Sequence, residues 1–219
     1  MKLKFDSSQE FQLQAIASIV DLFDGQPLNK GDFTITETMD LVGSQVQTEL
    51  GIGNKLLIEN ETLHKNLHKI QDKNELDFTS PEAFRENKLN FTVEMETGTG
   101  KTYVYLRSIF ELSSKYGFKK FIIVVPSVAI REGALKNIQI TEDHFKALYN
   151  NIEFEYFVYD SRKANRLRHF ATSNQIQVMI INIDAFRKDL MEVQIRNPIQ
   201  RHLDKELQMK DRGINPSCS

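Results

Sequence analysis

The chain is poor in cysteine and has no long apolar run. Its one cysteine, Cys218, stands next to the end of 219 residues. With no second thiol an intrachain disulfide is excluded, and a reducing cytoplasm is the expected location. The opening Met1-Lys2-Leu3-Lys4-Phe5-Asp6 has no apolar core of signal-peptide length. No later stretch approaches the roughly 20 apolar residues that span a bilayer, so no membrane association is expected. Nor does one sign of charge dominate: 28 basic residues stand against 30 acidic ones, a net charge of -2. That balance excludes a wholly basic nucleic-acid coat and leaves room for a local basic groove. Internal repeats and low-complexity tracts are absent as well. What is present, 40% hydrophobic and 26% charged residues, is a globular composition with ample material for a core.

The most informative stretch is Glu94-Met95-Glu96-Thr97-Gly98-Thr99-Gly100-Lys101-Thr102. It follows the apolar run Leu89-Asn90-Phe91-Thr92-Val93 and leads into Tyr103-Val104-Tyr105-Leu106, so it predicts strand, glycine-rich turn and helix in that order. Gly98 and Gly100 let the backbone curl so that the amides of Thr97 to Gly100 point at a phosphate, at the positive end of the next helix. Lys101 is placed to reach the β and γ phosphates of ATP, and the Thr102 hydroxyl to hold Mg2+. The general pattern G-x-x-x-x-G-K-[ST] puts its first glycine at the position occupied by Met95.

Upstream, Ser7 and Glu10 have the spacing of a capping box, which predicts a helix to about Asp24 with Phe11, Ala15, Ile19 and Leu22 on its apolar face. Residues 25–88 form a polar, weakly patterned segment in which Leu63, Leu67 and Ile70 mark a short amphipathic helix and Ser80-Pro81-Glu82 another helix start. His64 and His68 have the spacing of a metal-binding pair. Lys65, however, stands where the glutamate of H-E-x-x-H belongs and no third ligand is evident, so the pair reads as a solvated helix face. Downstream of the loop the expected helix ends at Gly117. Phe121 to Val125 is an unalternating strand expected to be covered on both faces, and Val128 to about Leu148 an interrupted helix. Glu153 to Tyr159 is a third strand. Ser161 to Ser173 is a helix carrying Arg162, Lys163, Arg166 and Arg168, and Val178 to Ile183 is a fourth strand. Strand, crossover helix and strand in repetition imply an α/β fold with a mostly parallel, doubly wound sheet and right-handed crossovers. Ligands of such sheets sit at the carboxyl ends of the strands.

The order of three features resembles the RecA-like first motor lobe of superfamily 2 helicases. These are Phe11-Gln12 with Ala15-Ile16, then Thr97 to Thr102, then Ile122-Ile123-Val124-Val125-Pro126-Ser127. More closely, Asn90 to Glu96, Phe121 to Gly133 and Ile180-Ile181-Asn182-Ile183-Asp184-Ala185-Phe186 resemble the Res subunit of type III restriction enzymes. The resemblance implies Gln12 as the adenine-reading side chain and Lys101 as the catalytic lysine. It also implies a grip on the DNA backbone by Pro126, Ser127 and Arg131, and it accommodates Met95, because members of the superfamily often lack the first glycine. It implies ATP-driven movement on double-stranded DNA, with a methyltransferase (modification) subunit as partner and cleavage by a distant nuclease domain. On this view residues 1–24 are the adenine-motif helix, 25–88 an insertion, 89–199 part of the motor lobe, and 200–219 a tail foreign to the fold.

ATP hydrolysis by such motors uses an aspartate for magnesium and a glutamate for the attacking water at the end of a strand. Asp184 closes an apolar run, but Ala185 follows it, so Asp184 reads as part of a DNA-side motif. The expected protein is therefore an N-terminal fragment that binds ATP without translocating or cutting by itself. Two other functions stay open on the residues alone: a self-sufficient small ATPase or kinase with Asp184 as magnesium ligand, and a non-enzymatic interaction module with a vestigial loop.

Overall fold

The computed structural model describes residues 5–28, 37–39, 45–47, 52–86 and 89–185. The expectations for Phe186 and for the polar remainder, including 200–219, lie outside these residues. In chain order come α1 (Glu10–Val20) with a 3-10 turn at Asp21–Phe23, β1 (Glu37–Met39) and β2 (Gln45–Gln47). Next are α2 (Asn60–Lys73), α3 (Pro81–Glu86), α4 (Lys101–Tyr116) and β3 (Lys120–Val125), then α5 (Val128–Leu148), β4 (Phe154–Val158), α6 (Ala164–Thr172) and β5 (Ile176–Asn182). β1 and β2 pair antiparallel with each other. β3, β5 and β4 form a parallel sheet in that order, with Ile123 opposite Ile180 and Phe157 opposite Met179.

β5 is the middle strand, and its apolar run is buried on both faces, as its lack of alternation predicts. Ile176, Val178 and Ile180 pack with Phe154 against Leu106, Ile109 and Phe110 of α4 and Ile138 and Phe145 of α5. On the other face Phe157 meets Phe170 of α6 edge-on at 6.0 Å. Helices thus cover both faces of a small parallel sheet, an α/β arrangement consistent with an incomplete RecA-like lobe. Among the described residues no helix is long and apolar enough to cross a membrane.

Five local expectations fail. Leu89 to Val93 is not a strand: among the described residues no strand lies beside it, and Leu89, Phe91 and Val93 are exposed. β3 is not covered on both faces: among the described residues nothing packs over Ile122 and Val124, which are 49% and 46% exposed, and the strand lies at the edge of the three-stranded sheet. α1 is not capped by Ser7. Its cap position is Gln9 with no side-chain bond, because Ser8 turns onto Asp6 and the Ser7 carbonyl is taken by Arg107. The buried stripe of α1 is Gln12, Ile16 and Val20, one position on from the expected face, which leaves Phe11 48% exposed. α5 runs without interruption for 21 residues.

The segment between α1 and the glycine-rich loop is fastened to this body. Leu63 of α2 is fully buried against Leu22 and Phe84. The Asn66 amide donates to the carbonyls of Leu22 (3.1 Å) and Asp24 (2.7 Å). The Asn54 side chain accepts from the amides of Lys119 and Lys120 and donates to the Lys120 carbonyl, closing the start of β3. α3 begins as expected, with the Ser80 hydroxyl accepting from the Ala83 amide at 3.2 Å.

Candidate functional site

The glycine-rich loop turns through two left-handed residues, Gly98 (φ 84) and Gly100 (φ 85), and α4 starts at Lys101. Such angles are routine only for glycine. At Gly98 an added Cβ would meet nothing within 4 Å, so backbone conformation alone selects the residue there. At Gly100 an added Cβ would stand 2.5 Å from Gln12 Nε2, so besides the backbone conformation a side chain there would displace the Gln12 carboxamide. Gln12 is buried, and its Nε2 donates to the Thr99 carbonyl at 2.9 Å, which ties α1 to the loop across 87 positions. Inside the loop the Thr99 hydroxyl donates to the Glu96 carbonyl at 2.7 Å. Met95, at the position of the pattern's first glycine, packs against the cluster of Ile16, Val20 and Val104.

A hollow of about 670 Å³ opens at this loop, and Gln12, Thr97, Gly98, Gly100, Lys101 and Thr102 all line it. Thr99 does not; it lies in the wall of a second hollow of about 780 Å³, between α1 and the residues preceding the loop. Phe5, Asp6, Gln9, Tyr103, Leu106, Asn137 and Thr141 complete the first hollow and were not legible as site residues. The helical period puts Asn137 and Thr141 on one face of α5, but nothing in chain order brings α5 over the loop. The wall formed by residues 5–9 is held by Arg107, which donates to the Ser7 carbonyl at 2.7 Å, and by Phe5, stacked on Tyr103 at 6.3 Å. Tyr103 in turn meets His144 through its hydroxyl at 2.9 Å, and burial, then the Arg107 charge, lowers the His144 pKa. The Tyr149 phenol is raised by burial and by its 2.6 Å bond to Glu111.

The donor set fits a nucleoside triphosphate with magnesium. Two side-chain-free positions let backbone approach a phosphate, a lysine and a threonine follow at the start of a long helix, and a buried carboxamide stands beside them. Asp184 does not line this hollow; its amide donates to Asn182 Oδ1 at 2.7 Å just beyond β5.

A different surface gathers at the carboxyl ends of the strands. Pro126 is exposed after β3, and Ser127 is the cap of α5, its hydroxyl accepting from the Ile130 amide at 3.3 Å. Arg131 is paired with Glu132 at 2.8 Å and lines a hollow of about 460 Å³ with Tyr159, Asp160, Ser161, Arg162 and Lys163. Side-chain and then backbone hydrogen bonds from Arg162 pull the Asp160 carboxyl down to about 2. The basic residues expected on one helix at Ser161–Ser173 are divided, because α6 starts only at Ala164. Arg162 and Lys163 face Asp160 at 2.9 and 3.8 Å, whereas Arg166 lies over the Phe157 ring at 5.9 Å.

Comparison with known proteins agrees with this architecture. A family model described as "Type III restriction enzyme, res subunit" matches residues 9–212. The chain is 50% identical over 72 residues to the StyLTI Res subunit of Salmonella typhimurium, covering 32% of this chain and 7% of that protein. It is 33% identical over 121 residues to the EcoPI Res subunit of Escherichia phage P1, covering 54% of this chain and 12% of that protein. The EcoP15I Res subunit of Escherichia coli is 41% identical over 73 residues, 32% of this chain and 7% of that protein. The matched stretches thus span about a tenth of these relatives or less. With a family model over most of its length and a helicase-like α/β body around the glycine-rich loop, the chain belongs to the Res-subunit family of type III restriction enzymes.

Proposed function

We propose that this chain is the ATP-binding part of a restriction-subunit motor. The observation that carries this reading is the single hollow of about 670 Å³ shared by Gln12, Lys101 and Thr102, which lie far apart in sequence. Gln12 reads the adenine edge, the amides of Thr97 to Gly100 cradle the phosphates, and Lys101 neutralises charge at the β and γ positions. The Thr102 hydroxyl holds magnesium, which supplies Lewis-acid charge to the terminal phosphates when bound. Among the described residues no Asp-Glu pair closes a strand, and Asp184 is followed by Ala185. On this reading the chain by itself binds ATP without turning it over. On the strand-end surface Ser127, at the start of α5, Pro126 and Arg131 take the phosphate backbone of double-stranded DNA, a contact that positions without reading sequence. In the cytoplasm the intact protein would couple these two surfaces to movement on DNA and to a modification methyltransferase subunit.

Titration calorimetry with ATP and magnesium is expected to give one site, weakened about tenfold or more by Lys101→Ala and unaffected by Asp184→Asn. Steady-state assays should find no ATPase activity with or without duplex DNA. DNA-stimulated turnover would end the binding-only reading, and absence of ATP binding would end the nucleotide reading altogether.

A further inference from the structure

The hollow at the glycine-rich loop is chemically two-sided. Lys101 and the loop amides only donate hydrogen bonds, which suits phosphate. Residues that reach the hollow from outside the loop do the opposite. Asp6 lines it from the segment before α1, and Asn137 and Thr141 line it from successive turns of α5. Phe5 brings Asp6 beside α5, its ring 5.3 Å from that of His144. Asp6 Oδ1 accepts from the hydroxyl and the amide of Ser8, at 2.6 and 2.9 Å. Those two bonds hold the carboxyl below its ordinary range, and Oδ2 has no partner among the described residues. Thr141 is buried, and its hydroxyl spends its one proton on the carbonyls of Asn137 (2.7 Å) and Ile138 (3.3 Å), so its remaining lone pair only accepts. The Asn137 amide donates to the Gly133 carbonyl at 2.9 Å, and its Oδ1 has no partner among the described residues.

Three acceptors on two elements away from the loop call for a ligand that carries donors as well as phosphates. The phosphates of ATP only accept, and its adenine edge belongs to Gln12. The donors that remain are the 2′ and 3′ hydroxyls of the ribose. A carboxylate holds a ribose hydroxyl in the same way in dinucleotide-binding sheets. We propose that Asp6, Asn137 and Thr141 hold the ribose hydroxyls of the nucleotide, a role that rests on the nucleotide reading above and adds the sugar to it. The site then takes ribonucleoside triphosphates and discriminates against those whose sugar lacks the hydroxyls. Without the diol the buried Thr141 oxygen and the Asp6 carboxylate would face the ligand with nothing to accept from, and a site built to bond a hydroxyl rejects an analogue without it for that reason.

Titration calorimetry of the 219-residue chain with ATP and with 2′,3′-dideoxy-ATP, each with magnesium, tests this. ATP is expected to bind about tenfold or more tightly than the analogue, the order of magnitude for hydrogen bonds to a charged or buried acceptor. In the double variant Asp6→Ala with Asn137→Ala the ratio of the two affinities should fall toward one. The ratio is the readout because damage to the fold or to the phosphate cradle weakens both nucleotides together. If the variant unfolds, the ratio in the parent chain still decides. Equal binding of ATP and the analogue by the parent chain, the result if the three acceptors met the adenine amine instead, overturns the inference and leaves the nucleotide reading standing. An undiminished ratio in the double variant overturns it as well. Absence of binding by either nucleotide ends the nucleotide reading and the sugar contact with it.

Discussion

Gly98 and Gly100 have nearly the same backbone angle, yet they are constrained to different degrees. At Gly98 only the left-handed conformation opposes a side chain, so Gly98→Ala should cost about 1–2 kcal/mol in denaturant unfolding and leave Gln12 in place. Gly100→Ala adds a collision with Gln12 Nε2, so its cost should exceed that of Gly98→Ala and its ATP affinity should fall further. Equal effects at both positions would contradict the Gln12–Thr99 contact. Asp160 offers a pH test. Its carboxyl is held at about 2 in the folded chain, below the ordinary 3.8. A depressed acid stabilises the fold above the unfolded value and loses that contribution as pH falls through the folded one. The Asp160–Arg162 pair should therefore survive mild acid and be lost between about pH 4 and pH 2. A carboxyl titration by carbon NMR checks this, and a midpoint near 3.8 would remove the pairing.

Among the elements, α2 follows its sequence pattern and β3 departs from it. α2 carries Leu63, on the apolar face its pattern marks, fully buried against Leu22 and Phe84. Leu63→Ala should cost about 2–5 kcal/mol, the range for a large-to-small change in a closed core. A cost below about 1 kcal/mol would mean that α2 is not docked. β3 reads as an interior strand, yet among the described residues it sits at the sheet edge with Ile122 and Val124 exposed. Exposed apolar edges pair with other chains unless charge blocks them. Ile122→Lys with Val124→Lys should change the unfolding midpoint little and reduce concentration-dependent association in light scattering. The positions of β3, β4 and β5 and the extent of α4 were legible because their signals are local: apolar runs bounded by turns, and a helix stopped at Gly117. The strand expected at Leu89 to Val93 was not, because a strand exists only through hydrogen bonds to a neighbour that the run itself does not specify.

At the scale of the whole molecule, two surfaces are built on one sheet: the glycine-rich loop under α1, and the strand ends around Ser127, Arg131 and Asp160. If the second meets DNA phosphates, log affinity should fall by about one unit per tenfold salt for each phosphate neutralised. Arg131→Ala should then lower that slope by about one without altering sequence preference, whereas a flat salt response would remove the DNA claim. The matched stretches amount to 7–12% of the restriction subunits compared.

The sequence by itself determined the α/β class, the glycine-rich loop with Lys101 and Thr102, and the family, because each rests on residues adjacent in the chain. Only the tertiary structure decided that Gln12 bonds to Thr99, that residues 5–9 and α5 wall the same hollow, and that the Thr79 carbonyl meets His64 and His68. Those contacts form when packed elements bring distant backbone carbonyls within hydrogen-bond reach of buried side chains. Every residue has a carbonyl, so sequence spacing gives no sign of which one a buried side chain will meet.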